Sequence, residues 1–406
     1  MPETKPQWEF TWLPPNIRIL FKGLPGVWRH RHQLVFSWLI VMQIVTSGAR
    51  TLTGLSRSAP RFITEWRFRR LLDAGCWSLK VLLHWFAMET MKALDEPENK
   101  VLYLITDGSH KDKRGQKNPA AQKGRLSEHH SWFFGIKFVV LMVTWGDFRI
   151  PVDFEIVRPK DHPDYRKENE LFRQMLSHFQ PPAWARMVIV LGDAAFAAKA
   201  NMKLIQAKDQ DDPQRRWGFV FAIARTWKMA DGKSLKNLVK HTPHSCYHQT
   251  WIPRRPGHNR RKTFWIFAKH TRLQHLGDVT VVLTKKGRNL GPKNTKLLVT
   301  NLLELTARQV IDIYQRRWAI EILFKELKSG LGLGEHQVTK KLPRIAKSLG
   351  IALIAHNFLL RARKDDLKPG KPWSIFQLKT NFTMDLIQQQ FQHSLALENN
   401  KWRKAA

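Results

Sequence analysis

Two acidic residues occupy positions from which carboxylates commonly act in sheet-based sites. Asp107 and Asp193 directly follow the apolar runs VLYLIT and MVIVLG, which are typical of buried strands. Functional groups in open α/β sheets gather at the carboxyl ends of strands, so both acids are candidates for one shared site. An aspartate in this position can also be a simple turn former, and each acid taken alone fits that interpretation.

A third acid, Glu321, lies in a segment with helical periodicity that begins after Thr306. Tyr314, Arg317, Glu321 and Lys328 follow one another at spacings of 3, 4 and 7 residues. At about 100° per residue they fall within an arc of roughly 60° on a helix. The carboxylate could bind a divalent metal ion while the hydroxyl and the cations contact phosphates. The alternative is a solvated helix face, which the i,i+4 pair of Arg317 and Glu321 also fits.

The overall charge favours a polyanionic partner. The 406 residues include 68 Lys plus Arg against 33 Asp plus Glu, a net charge of +35. Nucleic acid is therefore the first expectation. Cys76 and Cys246 are the two cysteines, too few for a disulfide framework or a Cys-rich zinc module. The N-terminus lacks an apolar signal core, and the runs Leu34–Val45 and Trp132–Trp145 are shorter than the roughly 20 residues that span a bilayer. We expect a cytoplasmic protein without a membrane partner.

The order of the elements predicts an α/β fold. Arg61–Leu94 has helical apolar spacing and indicates an N-terminal helical domain. From Val101 the pattern reads as three strands, a helix, a strand, a helix and a strand, followed by the helix of Glu321. Leu342–Arg363 is an apolar helix that we expect to cover the sheet, and the polar tail is helical near Leu386–Leu397.

Thr226–Leu303 has a different texture. Short strands alternate with Pro and Gly, and 16 Lys and Arg stand against two Asp. We interpret this segment as a β-rich basic insertion between the fifth strand and the helix of Glu321.

The pattern Tyr-x2-Arg-x3-Glu-x6-Lys formed by Tyr314, Arg317, Glu321 and Lys328 resembles the signature of the insertion-sequence-4 family of DDE transposases. The surrounding LTARQVIDIYQRRWAIEILFKELKSGLGL is similar to that family throughout, and the resemblance extends over Val101–Arg363. It implies an RNase H-like mixed sheet flanked by helices, with a β-rich insertion before the glutamate helix.

The resemblance also implies roles for single residues. The metal-binding catalytic acids would be Asp107, Asp193 and Glu321. The contacts to the phosphate backbone near the transposon end would be Tyr314, Arg317 and Lys328.

The sequence departs from the family at both aspartates. Many relatives have Asp-Arg-Gly-Phe at the second motif, whereas this chain has Asp193-Ala-Ala-Phe196. The phosphate contacts of that arginine therefore cannot be carried over. Asp107 is followed by Gly-Ser rather than by the more familiar Asp-Thr or Thr.

The activity implied by the resemblance is cut-and-paste DNA transposition, with metal-dependent phosphodiester hydrolysis followed by strand transfer. Mg²⁺ is the expected cofactor, with Mn²⁺ as a substitute and no small-molecule cofactor. The expected partners are transposon ends, target DNA and a second copy of the chain in a synaptic complex, each copy acting in trans. The predicted domains are an end-binding helical domain (1–98), the catalytic core (99–225 and 304–364), the insertion (226–303) and a helical tail that is a candidate dimerisation element (365–406).

Further residues are candidates for DNA contacts. Cleavage through a hairpin would need an aromatic side chain to stack on a flipped base. Trp251, in the basic sequence QTWIPRRPG, is preferred over Trp227 and Trp265, and Arg254 and Arg255 follow it.

Two other clusters have weaker signals. Arg67, Arg69 and Arg70 fit phosphate contacts or a solvated helix face equally well. The cluster His241, His244, Cys246 and His248 loosely resembles a set of zinc ligands, although its spacing fits an ordinary basic loop better.

Two other functions use the same residues. An RNase H-like nuclease or resolvase would cut DNA with these acids and not join it. A DNA-binding relic of a transposase would have lost the chemistry, which the three intact acids argue against.

Overall fold

The computed structural model describes residues 15–113, 115, 118–125, 132–253, 261–336, 341–367 and 373–405. By contacts the chain divides into two units. The first, the helical unit, comprises Met1–Asp95, His110–Lys137 and Phe324–Ala406, and the second, the sheet unit, comprises Glu96–Ser109 and Phe138–Leu323. The bounds of these two units differ from those of the four domains expected from the sequence. The predicted domain boundaries stay predictions.

The helices follow the predicted order closely, and those predicted within Arg61–Leu94 and near Leu386–Leu397 are present. Their bounds are α1 Pro15–Lys22, α2 His30–Val45, α3 Leu52–Ser58, α4 Glu65–Ala74, α5 Leu79–Ala93, α6 Glu168–His178, α7 Lys199–Asp211, α8 Leu235–His241, α9 Ala307–Gln315, α10 Ala319–Lys325, α11 Leu342–Ala362 and α12 Ile375–Ala405.

The strands include every strand predicted from an apolar run. Their bounds are β1 Val101–Asp112, β2 Ala121–Arg125, β3 Trp132–Trp145, β4 Phe148–Ile156, β5 Met187–Gly192, β6 Arg216–Ala222, β7 His248–Pro253, β8 Arg261–Leu273, β9 Gly277–Lys285 and β10 Lys296–Thr300.

Helix α11 is the centre of the helical unit. It packs mainly against α5 and α2, with further contacts to α4 and α12. Its backbone approaches α5 so closely that a Cβ on Gly350 would lie 2.2 Å from Cδ1 of Leu79. The expectation that this helix also covers the sheet stays a prediction. By length and composition α11 could cross a membrane, but 78% of its apolar window is buried within the protein, as in the core helix of a globular fold.

A buried polar network joins α2 to the segment that follows Gly330 in the helical unit. The Gln43 side-chain amide donates to the Leu331 carbonyl (2.5 Å), and its oxygen lies 2.9 Å from Nε2 of His336. Full burial, with a smaller effect of the Lys113 charge, lowers the pKa of His336 to about 3. The neutral imidazole is thus the form that donates to Gln43.

The sheet unit has strand order β3-β1-β5-β6-β10-β9-β8-β7, with β4 paired to β3. Strands β1, β5 and β6 are parallel to one another. Strands β3 and β4 form the predicted hairpin, whose turn places Gly146 at a φ of 52°, a left-handed conformation that glycine adopts readily.

The predicted insertion extends this same sheet. Strand β10 pairs antiparallel with β6, and β9, β8 and β7 follow as antiparallel neighbours. A short helix, α8, also lies in the insertion and was missed because only two turns of apolar pattern mark it.

The sequence placed several element ends wrongly. Asp107 is not the end of its strand, because β1 continues to Asp112. The segment expected to be a polar loop contains β2, which pairs with the first residues of β3. Helix α7 begins at Lys199 and not directly after Asp193, because a turn closed by the Asp193 side chain precedes it.

The helix expected from Thr306 through Lys328 is broken into pieces. The predicted capping box of Thr306 and Gln309 is confirmed and begins α9. A 3₁₀ turn, Arg316–Trp318, then separates α9 from α10, and a π-helical turn, Glu326–Gly330, follows. The 3₁₀ turn rotates by more than 100° per residue and the π-helical turn by less. Tyr314, Arg317, Glu321 and Lys328 therefore do not share one helix face over the whole motif, as the sequence spacing had assumed.

Candidate active site

Asp107 and Asp193 lie side by side, just beyond the last matched pair of the neighbouring parallel strands β1 and β5. The parallel register pairs Ile105 with Leu191, and both acids come two residues after this pair. Neighbouring strands are about 4.8 Å apart, and residues in register point to the same face. The sequence prediction that the two acids share a site is thus supported by the pairing of β1 with β5.

The turn after β5 fixes the orientation of Asp193. Its Oδ1 accepts from the backbone N–H groups of Ala195 (2.9 Å) and Phe196 (3.3 Å). The Phe196 ring is buried beneath the turn, and a Cβ on Gly192 would lie 2.4 Å from Cε1 of Phe221. One oxygen of Asp193 therefore holds the turn while the other is outside these two bonds.

Arg317 connects two of the three acids. Its Nη1 atom lies 2.9 Å from Oδ2 of Asp107 and 3.6 Å from Oε1 of Glu321. The side chains of Arg317 and Asp107 are only 16% and 15% exposed, so this pair is screened weakly by water. Glu321, at 37%, is the more accessible acid. The structure therefore brings Asp107, Arg317 and Glu321 together, and the catalytic role of the two acids stays a prediction.

The pKa of Asp107 reflects its burial and the negative charges near it. Burial, together with the charges of Asp193 and Glu321, raises the pKa of Asp107 to about 7. Arg317 and a hydrogen bond from the Gly108 N–H (2.8 Å) act in the opposite direction. One guanidinium does not neutralise three carboxylates, and such a site favours additional positive charge.

Tyr314 is buried beside this cluster. Burial raises the pKa of its hydroxyl to about 12, Asp193 and Asp107 contribute to the rise, and Arg317 opposes it. The Nζ atom of Lys296 lies 4.5 Å from the centre of the Tyr314 ring. Sequence reasoning missed Lys296, since its approach to the site depends on the pairing of β10.

The donor set suits a hard divalent cation, since carboxylate oxygens are the ligands that Mg²⁺ prefers. In the arrangement that the described residues adopt, however, no three Asp, Glu, His or Cys side chains converge closely enough to hold a metal ion. The guanidinium of Arg317 lies within 4 Å of both Asp107 and Glu321. The residues fit the ion by their chemistry, and an ion placed between Asp107 and Glu321 would compete with Arg317.

Lys328 belongs to the helical unit and lies on the π-helical turn Glu326–Gly330. Its charge helps to lower the pKa of His110 in the same unit, where burial has the larger effect. The same turn is anchored by Glu326, whose Oε2 is 3.1 Å from Nε2 of the buried His356. The role of Lys328 at the phosphate backbone stays a prediction.

Trp251 lies on β7, and two guanidiniums are close to its ring. The guanidinium of Arg261 is 3.9 Å from the ring centre and that of Arg308, at the start of α9, is 4.5 Å from it. Trp251 is 41% exposed, which suits a contact surface better than a core position. Arg254 and Arg255 lie outside the described residues.

The other two tryptophans of the insertion also have cationic side chains near their rings. Lys199 lies 5.8 Å from the ring centre of Trp227, and Arg288 lies 5.4 Å from that of Trp265.

The remaining sequence candidates have partners within the chain. Arg69 forms an ion pair with Glu65, Arg70 lies 5.1 Å from the ring centre of Trp66, and Arg67 donates to the Phe62 carbonyl. These contacts agree with a structured helix face, and a role at phosphates stays a prediction.

The histidines of the insertion also contact the backbone. Nδ1 of His241 lies 2.8 Å from the Asn237 carbonyl oxygen, and Nδ1 of His244 lies 2.7 Å from that of Arg288. The first contact lies within α8, and the second holds the short turn His244–Cys246 against the Arg288 backbone.

Comparison with known proteins gives a family for this arrangement. Residues 104–358, more than half of the chain, match the family described as "Transposase DDE domain". No curated protein matches the sequence. Among solved structures, the chain is similar to the piggyBac transposase synaptic complex with hairpin DNA (TM-score 0.45, 13% identity, covering 94% of this chain and 77% of that chain). It is also similar to the Drosophila P element transposase strand transfer complex (TM-score 0.21, 17% identity, covering 55% and 46%). The chain belongs to the DDE transposase family and is a DNA transposase.

Proposed function

We propose that this DNA transposase excises an insertion sequence of the insertion-sequence-4 type and joins it to target DNA with one active site, formed by Asp107, Asp193 and Glu321. The observation that carries the proposal is the register of β1 and β5, which aligns the two aspartates while Arg317 contacts both Asp107 and Glu321. Two aspartates from neighbouring strands, with a glutamate from helix α10 close to one of them, suit phosphodiester chemistry.

Members of this family use divalent metal ions, and we propose Mg²⁺, with Mn²⁺ as a substitute. Asp107, Asp193 and Glu321 would hold the ions. When bound, the ions supply activation of the attacking oxygen and stabilisation of the leaving oxygen. The turn hydrogen bonds to one oxygen of Asp193 orient its other oxygen, and the partly exposed Glu321 can adjust to the substrate.

Arg317 has two partners available in this scheme. In the protein alone it neutralises Asp107 and approaches Glu321. If the acids held metal ions, the guanidinium would be free to contact a DNA phosphate with two N–H groups. Tyr314 keeps its proton, because its raised pKa leaves the hydroxyl neutral, and it can donate to the same phosphate.

The basic insertion would grip the DNA beside the cleavage point. Trp251 with Arg261 and Arg308 presents aromatic and cationic surface together, which is the combination that binds unpaired bases and phosphates. Stacking of a flipped base on Trp251 would require one of the two guanidiniums to leave the ring. Arg254 and Arg255 follow Trp251 in sequence and would add positive charge.

The assembly that we propose is a pair of protomers on two DNA ends, each cleaving the end held by its partner. The helical residues 1–98 would read the end sequence, and residues 365–406 would support dimerisation. The net charge of +35 supports the handling of several DNA segments in one complex, and we place this reaction in the cytoplasm.

The experiment that tests the proposal incubates the purified protein with a labelled fragment carrying the DNA ends that flank its gene, a target plasmid and Mg²⁺ or Mn²⁺. We expect end cleavage and joined products, both lost in Asp193→Asn and Glu321→Gln. Cleavage without joining would replace the proposal with a nuclease or resolvase. Binding without cleavage in either metal would identify a DNA-binding relic.

A further inference from the structure

The lysine that begins β10 lies at the same sheet edge as the catalytic aspartates. Strand β10 pairs antiparallel with β6 and matches Leu298 with Ala222, the last residue of β6. Lys296 comes two residues before Leu298 and therefore lies beyond the carboxyl end of β6. Asp107 and Asp193 lie beyond the last matched pair of β1 and β5 in the same direction.

The register also sets the face to which Lys296 belongs. Gly192 pairs with Phe221, so Asp193 continues the row that contains Ala222 and Leu298. Residues in one row share a face of the sheet, and residues two apart on a strand do so as well. Lys296 is therefore on the face of the two aspartates.

Contacts of the side chain agree with this placement. The ammonium lies 4.5 Å from the ring centre of Tyr314. Partial removal from water lowers the pKa of Lys296, Arg317 lowers it further, and Asp193 raises it, so both groups are close enough to act on it. Lys296 nevertheless keeps surface open to solvent. A cation placed among active-site groups and still reachable from outside is suited to a substrate anion.

The turn that follows the second aspartate makes such a cation useful. Asp193 is followed by Ala-Ala-Phe-Ala-Ala, a segment with no basic side chain of its own. We propose that Lys296 contacts the phosphate next to the scissile bond on the Asp193 side of the site and supplies the positive charge that this turn lacks. The inference rests on the proposed function, because it needs DNA at these acids, and it adds a substrate contact from the insertion.

Salt-dependent DNA binding without metal tests the contact separately from catalysis. Affinity for the labelled duplex that carries the flanking ends is measured in EDTA from about 50 to about 200 mM salt, for the wild type and for Lys296→Ala, Lys296→Met and Lys296→Arg. Loss of one phosphate contact lowers the slope of log affinity against log salt by about one. We expect this reduction, with roughly tenfold weaker binding at low salt, in the Ala and Met variants.

The conservative variants separate a phosphate contact from packing. Methionine preserves an unbranched apolar stem beside Tyr314 without the charge, whereas arginine preserves the charge. Rescue by Lys296→Arg and not by Lys296→Met supports the inference. Rescue by Lys296→Met, or a slope unchanged in Lys296→Ala, overturns it. Lys160→Ala, an exposed lysine in the loop after β4, is the control for loss of one charge elsewhere.

Failure of the proposed chemistry gives a different result. If the wild type cleaves no DNA in Mg²⁺ or Mn²⁺ while Lys296→Ala still reduces the slope, the catalytic proposal fails and the phosphate contact stands. If the wild type cleaves and joins DNA but the slope of Lys296→Ala is unchanged, the inference about Lys296 fails alone.

Discussion

The Nη1 atom of Arg317 lies 2.9 Å from Oδ2 of Asp107, so the buried aspartate already has a cation at hydrogen-bonding distance before any metal ion arrives. The same nitrogen lies 3.6 Å from Glu321. In the scheme that we propose, this arrangement would make Arg317 a competitor of the divalent ion in the protein alone and a ligand of DNA in the complex.

Replacement of Arg317 by alanine should therefore have opposite effects on metal binding and on cleavage. Without the competing guanidinium, Mg²⁺ should bind the DNA-free protein about fivefold more tightly, the equivalent of roughly 1 kcal/mol. DNA cleavage should fall by roughly a hundredfold, because a charge-assisted phosphate contact is lost. Titration calorimetry and a cleavage assay measure the two effects.

Arg316→Ala is the matched control for this variant, since Arg316 carries the same charge but contacts Asp312 and the Tyr103 ring. Its affinity for Mg²⁺ should equal that of the wild type. Weaker Mg²⁺ binding in Arg317→Ala would show that the arginine supports the metal site and does not compete for it.

Two replacements of Asp193 should differ in stability but not in activity. Asp193→Asn and Asp193→Ala should both reduce cleavage by at least ~10³-fold, because a metal ligand is lost. Asparagine keeps an oxygen for the N–H groups of Ala195 and Phe196, whereas alanine does not. Urea unfolding should therefore show about 1 kcal/mol lower stability for Asp193→Ala alone. Substantial cleavage by Asp193→Asn would remove Asp193 from the catalytic set.

The buried His336 should make the helical unit sensitive to acid. The pKa of His336 is about 3 in the folded protein and about 6.5 in the unfolded chain. At a pH between these two values, His336 is protonated in the unfolded chain and neutral in the folded protein. Stability should thus fall as the pH drops from about 6.5 toward 3, by up to about 1.4 kcal/mol per pH unit.

The variant His336→Gln checks this pH dependence, because glutamine keeps a donor for Gln43 and does not titrate. Between pH 7.5 and pH 5 the free energy of unfolding of the wild type should fall by about 2 kcal/mol more than that of the variant. Parallel pH profiles for the two proteins would argue that His336 is charged or exposed in solution.

Loss of the Trp251 ring should affect distorted DNA more than paired DNA. Base stacking on an aromatic side chain contributes about 1–3 kcal/mol, so Trp251→Ala should bind an end with one unpaired base at least tenfold more weakly. A fully paired duplex should lose less, because Arg261 and Arg308 keep their charges. Trp251→Phe should recover most of the difference. Equal losses on both DNAs would restrict Trp251 to the support of its two arginines.

The central geometry of the site was predictable from sequence because it depends on local patterns. Asp107 and Asp193 follow apolar runs whose strands are parallel neighbours, and this places them at one edge. Arg317 and Glu321 are one helical turn apart, and their approach follows from that spacing. The approach of Arg317 to Glu321 is thus set locally, whereas the sequence marks the strand before each aspartate but does not specify the register that pairs β1 with β5.

Contacts that depend on long-range pairing could not be predicted. Lys296 reaches Tyr314 because of the register of β10, and the sequence around Lys296 does not specify that register. Trp251 contacts Arg308 because helix α9 packs against β7. The two residues are more than 50 positions apart in the sequence. The 3₁₀ turn Arg316–Trp318 was missed for another reason, since its residues are compatible with an ordinary helix.

The pairing of β6 with β10 has a consequence for how the insertion can change in evolution. A slip of one residue in this ladder would turn Lys296 to the opposite face, because side chains alternate along a strand. Lengthening or shortening β10 by a single residue is therefore costly, whereas turns far from β6 can vary in length. Engineers who exchange the insertion between relatives should accordingly place the junction so that Leu298 still meets Ala222.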